Sequence, residues 1–241
     1  SACSVVVSGD YAYVADYGSG FQVIDISTPG SPVIVGSIGT PGYAIGAAVS
    51  GDYVYVADGN SGLQVIDIST LGSPLIVGTA DTPGYAVGVA VSGEYAYVAD
   101  LSSDLQVIDI STPGSPVIVG SIDTPGHAWD VAVSGDYAYV AAYYSGGLQV
   151  IDISTAGSPV IVGSIVTPRY ACGVAVSGSF AYVVDYYSDL QVIDISTPGS
   201  PVIVGSIDTP GSARGVAVSG DYVYVAVGRS GLQIVNRQCE R

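Results

Sequence analysis

Aspartate recurs at two regular spacings in this 241-residue chain. Asp25, Asp67, Asp109, Asp152 and Asp194 each stand two residues before a Ser-Thr pair, with Asn236 in the sixth place. A carboxylate there can accept hydrogen bonds from turn amides and hydroxyls. Five copies point to structure, because catalysis needs one unique constellation. The second series is Asp16, Asp58, Asp100 and Asp185, with Ala142 and Val227 in the remaining two places. Four carboxylates at one level could supply oxygen ligands to Ca²⁺. No DxDxDG loop accompanies them, so loop capping is the favoured role. No cofactor is expected, and Ca²⁺ is the minor alternative.

His127, Asp130 and Cys172 are the other groups with nucleophile or base chemistry, and nothing in their spacing brings them together. GxSxG, HExxH, CxxC and a glycine-rich phosphate loop are all missing, as is the Asp box of sialidases. Catalysis is therefore not the expected main role. Three cysteines, Cys3, Cys172 and Cys239, are an odd number and exclude a disulfide-rich scaffold. Cys3 and Cys239 fall at opposite ends of strands about 20 Å long, beyond the reach of a disulfide. Three unpaired thiols are expected.

The elements that must position these residues follow from a repeat of 42 residues. Six units span 1-42, 43-84, 85-126, 127-169, 170-211 and 212-241, and the octapeptide LQVIDIST returns unchanged at 63, 105, 148 and 190. Each unit has four short segments rich in Val, Ile and Tyr, here named A to D. In the second unit they are Gly46–Val49, Tyr53–Ala57, Leu63–Ile68 and Leu75–Thr79. Gly, Pro, Asp and Ser punctuate them, so they read as strands, and no helical period persists. The A–B link carries a hairpin signal, Ser50-Gly51-Asp52. Four antiparallel strands per unit make a propeller blade rather than a solenoid coil. The expectation is an all-β, six-bladed β-propeller in one domain, with a three-stranded last blade.

The pattern GLQVIDIS…SPxIVG, preceded by VAVSGDYAYVAD, resembles the LVIVD repeat of bacterial and archaeal proteins, many of them at the cell surface. The resemblance covers essentially the whole chain. It implies a β-propeller and brings no catalytic motif. Blade 6 lacks strand D, and closure would then rest on blade 1 packing against blade 6. Asn236, Arg237 and Gln238 read as a polar stop on the open edge, since charge blocks edge pairing. A monomer is expected, with pairing through the edge of blade 6 as the route to association.

Strand direction alternates, so the D–A and B–C links share one face, and those links are where the repeats differ. Eleven of the 19 Tyr fill repeated slots in strand B. The other eight, Tyr17, Tyr43, Tyr85, Tyr143, Tyr144, Tyr170, Tyr186 and Tyr187, map to the variable face. Trp129, His127, Arg169, Arg214 and Arg229 map there too. Tyr, Trp and Arg make binding hot spots, and loops on a rigid scaffold carry them. The candidate ligand-binding set is His127, Trp129, Tyr143, Tyr144, Arg169, Tyr170, Tyr186, Tyr187, Arg214 and Arg229. Tyr43, Tyr85 and Tyr170 occupy a shared slot and also read as inter-blade packing.

Composition bounds the partners. Twenty-one acidic residues against five basic ones give a net charge of −16, which excludes a nucleic-acid footprint. No run of about 20 apolar residues is available for a membrane span. An acidic chain without Lys fits an extracellular or cell-surface setting. Ser1 opens the chain and Met is absent, as in a processed product or an excised piece. The leading expectation is a non-enzymatic binding module for a carbohydrate or a peptide. The alternatives are an enzyme on acidic polysaccharide, with His127 or a Tyr as base, and a purely structural repeat scaffold, natural or designed.

Overall fold

The computed structural model describes residues 1–144, 146–187 and 189–237. The chain is a six-bladed β-propeller, with five blades of four antiparallel strands and a last blade of three. Each blade is a simple meander in which sequential strands pair, A to B to C to D. In blade 2 the strands are Gly46–Ser50, Tyr53–Ala57, Leu63–Asp67 and Leu75–Ala80. The observed ends lie within one residue of the expected ones. Among the described residues the only helical turn is a 3₁₀ segment, Gly228–Ser230, in the B–C link of blade 6.

The A–B link is a two-residue hairpin. Ser8 pairs with Tyr11, and Gly9 between them holds φ at 57°. Gly51, Gly93, Gly135, Gly178 and Gly220 repeat that positive φ. Only glycine adopts it without strain at the first position of such a turn.

Strand D carries the other glycine that the fold requires. The C–D register shifts between Val23 and Ile24, Val65 and Ile66, Val150 and Ile151, and Val192 and Ile193. Opposite this bulge stands Gly36, where a Cβ would lie 2.0 Å from the Leu71 carbonyl oxygen in the C–D link of the next blade. Gly78 and Gly163 meet the Pro113 and Pro198 oxygens at 2.1 Å in the same way. The bulge bends strand D, and the missing side chain admits the neighbouring link.

The chain groups into two compact units, Ser1–Ser121 with blades 1 to 3 and Ile122–Arg241 with blades 4 to 6. Within each unit, blades stack face to face. The leading face of blade 1 (Tyr13, Ala15, Phe21, Val23) packs on the trailing face of blade 2 (Val54, Val56, Ile66, Ile68). Blades 2 and 3 repeat that junction, as do blades 4 and 5 and blades 5 and 6. Both faces of a middle blade are therefore apolar, and runs such as VIDI need not alternate.

Arg237 does not stand out as an edge charge. Its Nε donates to the Tyr182 hydroxyl at 3.2 Å and its Nη1 to the Gly220 carbonyl at 3.0 Å. The guanidinium also covers the Tyr182 ring. It binds blade 6 to the Tyr182 strand of blade 5. Gln238 lies outside the described residues.

Candidate functional site

The two aspartate series serve the turns. Asp25, Asp67, Asp109, Asp152 and Asp194 each accept the amide of the Ser two residues on, at 2.8 to 2.9 Å. Hydrogen bonds from that Ser hold each carboxyl below its ordinary range. In the second series Asp58 accepts the Thr40 hydroxyl at 2.6 Å and the Gly42 amide at 2.7 Å. Asp100 does the same for Thr82 and Gly84, and Asp185 for Thr167 and Arg169. Each thus holds the D–A link that enters its own blade, rather than the B–C link that follows it. Burial pushes these three carboxyls up, against the pull of their hydrogen bonds.

Where the Asp is missing, at Ala142 and Val227, Thr124 and Thr209 turn their hydroxyls back to Gly126 and Gly211 of their own links. Asp16 instead pairs with the Ser1 amino group at 2.8 Å. The four carboxylates of the proposed Ca²⁺ set are engaged separately. Among the described residues no three His, Cys, Asp or Glu side chains converge as metal ligands.

The D–A and B–C links meet on one face, as strand alternation requires. Tyr17 and Ala44 exchange backbone hydrogen bonds across them, and Gly59 and Ala86 repeat the bridge. In the second unit the amide of Tyr143 donates to His127 at 2.7 Å and that of Tyr186 to Tyr170 at 2.9 Å. These bonds set the aromatic side chains beside one another.

Tyr143 is the hub of that group. Its ring stacks on Trp129 at 5.0 Å and on Tyr170 at 4.9 Å, and meets Tyr144 edge-on at 5.0 Å. Tyr170 continues to Tyr187 at 5.6 Å, and Tyr187 to Tyr186 at 5.0 Å. His127 lies edge-on to Tyr144, and Arg214 covers Tyr186 at 5.4 Å. Nine of the ten candidate residues thus fall in blades 4 and 5 and at the start of blade 6 strand A, eight of them joined by ring contacts. Arg229 does not join them by any ring contact or hydrogen bond among the described residues. It sits exposed in the 3₁₀ turn of blade 6.

An open cleft of about 570 Å³ lies in this group, lined by Tyr144, Val166, Thr167, Pro168, Arg169, Tyr170 and Tyr187. The D–A link that lines it departs from the repeat. Val166 and Arg169 replace the Asp and Gly of the usual IDTPG link. At Gly42 and Gly84 a Cβ would lie 2.0 and 2.3 Å from the facing Asp carbonyl oxygen. Arg169 carries that Cβ, and its amide stands 3.1 Å from Asp185 instead of 2.7 Å. Tyr144 has φ of 65°, a strained conformation for an aromatic residue. The backbone there holds the ring toward the group.

Val166, Thr167 and Pro168 were not singled out from sequence. The signal was available, since Val166 breaks a repeated Asp. Asp189 and Asp208, paired across strands C and D of blade 5, were missed as well. Burial and the shared hydrogen bond with Asp208 raise the Asp189 carboxyl, and the nearby Arg169 charge opposes this. Asp189 replaces the Gly that opens LQVIDIS in most units.

Cys172 and His127 do not form a nucleophile–base pair. The buried Cys172 thiol turns to the Ala213 and Val184 carbonyls, at 3.3 and 3.5 Å. Burial, with Asp130 and Asp185 nearby, pushes it up to about 12. Asp130 accepts the Val131 and Val174 amides, both at 2.9 Å. Its carboxylate is enclosed although the residue is only half-buried, and that burial raises it to about 6. Cys3 is an exposed free thiol and Cys172 a buried one, while Cys239 lies outside the described residues. In the first unit Tyr43 stacks on Tyr17 at 4.2 Å and is exposed. Tyr85 is half-buried against Gly59.

Solved structures share the fold. A functionally unknown protein from Desulfotomaculum acetoxidans matches at a TM-score of 0.83 and 16% identity, over 98% of this chain and 82% of that one. A putative 6-phosphogluconolactonase from Bacteroides uniformis matches at 0.81 and 17%, over 96% and 80%. The computationally designed Ika8 protein matches at 0.74 and 14%, over 98% and 70%. At these identities the likeness is one of fold alone. No curated protein matches the chain. The LVIVD repeat model matches residues 1–40, 41–82, 83–124, 125–167, 168–209 and 210–236, each starting within two residues of a unit read from sequence. With six matches across nearly its whole length, the chain belongs to the LVIVD-repeat family.

Proposed function

We propose that the chain is a non-enzymatic binding module, and that its site is the aromatic cleft between the D–A and B–C links of blades 4 and 5. The observation that carries this reading is the run of touching rings from Trp129 through Tyr143 and Tyr170 to Tyr187, beside an open cleft of about 570 Å³. That volume lies within the range of small-ligand sites. Tyr144 and Tyr187 expose about half of their surface, 54% each, so their ring faces are available. Exposed tyrosine rings suit the apolar face of a sugar or of a peptide side chain. Arg169 at the rim gives a carboxylate a partner. A carbohydrate bearing a carboxylate is the ligand class that uses both features, and a peptide is the second. Action outside the cell or at its surface fits the acidic, lysine-free composition.

The test is a glycan and peptide array on the isolated chain, followed by titration of Trp129 fluorescence. Tyr170→Ala and Tyr187→Ala are each expected to weaken capture at least tenfold, about 1.4 kcal/mol, in the range of aromatic anchors. Unchanged binding in both variants refutes the placement. Ligand turnover abolished by His127→Gln would replace this reading with an enzyme.

A further inference from the structure

Tyr17 and Tyr43 stand on facing links at the junction of blades 1 and 2, within the compact unit Ser1–Ser121. Tyr17 belongs to the B–C link of blade 1, and Tyr43 to the D–A link that enters blade 2. Their rings stack with centroids 4.2 Å apart and planes within 6°, the closest ring pair among the described residues. The backbone holds them there. The Tyr17 amide donates to the Ala44 carbonyl at 2.9 Å, and the Ala44 amide donates back to Tyr17 at 3.1 Å. The Gly20 amide also donates to the Tyr17 carbonyl, at 3.1 Å. In that turn Tyr17 takes φ of 46°, a strained conformation for an aromatic residue. The next junction repeats the bridge at Gly59 and Ala86. There glycine takes the place of Tyr17, and a Cβ on it would lie 2.9 Å from the Tyr85 ring. The blade junction therefore forms without a stacked pair, and the pair at Tyr17 and Tyr43 is an addition to it.

We propose that Tyr17 and Tyr43 are a site of oxidative cross-linking, joined by a carbon–carbon bond when a haem peroxidase acts with hydrogen peroxide. Each phenol gives up one electron and one proton. Hydrogen peroxide takes both electrons and both protons and leaves as two waters. The two tyrosyl radicals couple through ring carbons ortho to oxygen. The hydrogen on each of those carbons then moves to its oxygen and restores two phenols, so the chain loses two hydrogen atoms. Met is absent and Trp occurs once against 19 Tyr, so phenols are the abundant oxidisable groups beside the three thiols. Proximity selects this pair, because oriented partners react at a high effective concentration. The net charge of −16 opposes the encounter of two chains that would give the intermolecular product. The rings are 40% and 43% exposed. Each thus has an open side for proton loss to water and for the rotation that brings the ortho carbons together. The new bond closes the chain from residue 17 to residue 43 across the blade junction. It restrains the unfolded chain as a disulfide of that span does. The site shares no residue with the ligand cleft and does not depend on it.

The test is oxidation of the purified chain by a haem peroxidase and hydrogen peroxide, then isolation of the monomer and proteolysis before each Asp. Fragments 16–24 and 25–51 then carry one tyrosine each, Tyr17 and Tyr43. The expected product is these two fragments joined, with dityrosine fluorescence and a mass two hydrogen atoms below their sum. An uncut 16–51 fragment is lighter than that sum by one water and is told apart by mass. The oxidised monomer is also expected to unfold at a higher urea concentration. Tyr17→Phe and Tyr43→Phe keep the ring and remove the hydroxyl, and each is expected to lose the joined fragment. Oxidation of the urea-unfolded chain is expected to yield at least about tenfold less of it, because the rings are no longer held together. No joined fragment from the folded chain overturns the inference. So does a joined fragment that persists in either variant, one formed equally well from the unfolded chain, or a cross-link from Tyr43 to Tyr85 in its place.

Discussion

Asp130→Asn isolates one enclosed carboxylate. In the native protein burial holds Asp130 at about 6, against 3.8 for an ordinary Asp. The native state therefore binds the proton more tightly than the unfolded chain between those two values. Its contribution to stability is full below about pH 4 and is lost as pH rises through about 6. At about 1.4 kcal/mol per pH unit, the loss approaches about 3 kcal/mol. Asparagine cannot ionise and escapes it. It offers one carbonyl where the carboxylate served both the Val131 and Val174 amides, at a cost of about 1 kcal/mol. Relative to the parent, the variant is then expected to be about 1 kcal/mol less stable at pH 4 and about 2 kcal/mol more stable at pH 7.5. Cys172, the titratable neighbour, stays neutral across this window because its thiol lies at about 12. All other carboxylates titrate in both proteins and cancel in the difference. Urea unfolding followed by Trp129 in the same blade measures it at four pH values. A difference that stays constant from pH 4 to 7.5 would show that water reaches the carboxylate and would sink the reasoning.

Two other perturbations address the scaffold. Asp100→Ala frees the Thr82 hydroxyl and the Gly84 amide together, and should cost about 2–4 kcal/mol in chemical denaturation. Asp16→Ala removes only a contact with the exposed Ser1 amine and should cost under about 1 kcal/mol. Equal losses would contradict the capping role. Gly62→Ala places a Cβ 2.2 Å from the Ala80 oxygen at a φ of 65°, and is expected to lower stability by at least about 2 kcal/mol. Gly30→Ala, which meets nothing within 4 Å, should change it by less than about 0.5 kcal/mol.

The blades were legible because the chain repeats itself, and strand ends in blade 2 fell within a residue of the expectation. The shared face of the D–A and B–C links followed from strand alternation alone, and with it the grouping of Trp129, Tyr143, Tyr170 and Tyr187. The partners of Asp58, Asp100 and Asp185 were not legible. Each lies sixteen to eighteen residues back across a blade junction, and sequence order suggested the nearer loop. Arg237 was misread for a related reason. An edge position in sequence does not say whether a long side chain turns outward or back onto Tyr182. The cleft was hidden because it forms between links of two blades, Tyr144 on one side and Val166 to Tyr170 and Tyr187 on the other, which pattern alone does not resolve.

The glycine of strand D has a consequence for how such a chain can change length. Blades 1, 2 and 4 keep an empty socket at Gly36, Gly78 and Gly163, and the next blade fills it with a main-chain oxygen. The plug is backbone, so this part of the junction does not depend on which side chains the next blade carries. A gene can gain or lose 42-residue units by recombination between copies without creating a new kind of junction. A gain of any other length would shift the socket out of register and put a side chain against a carbonyl.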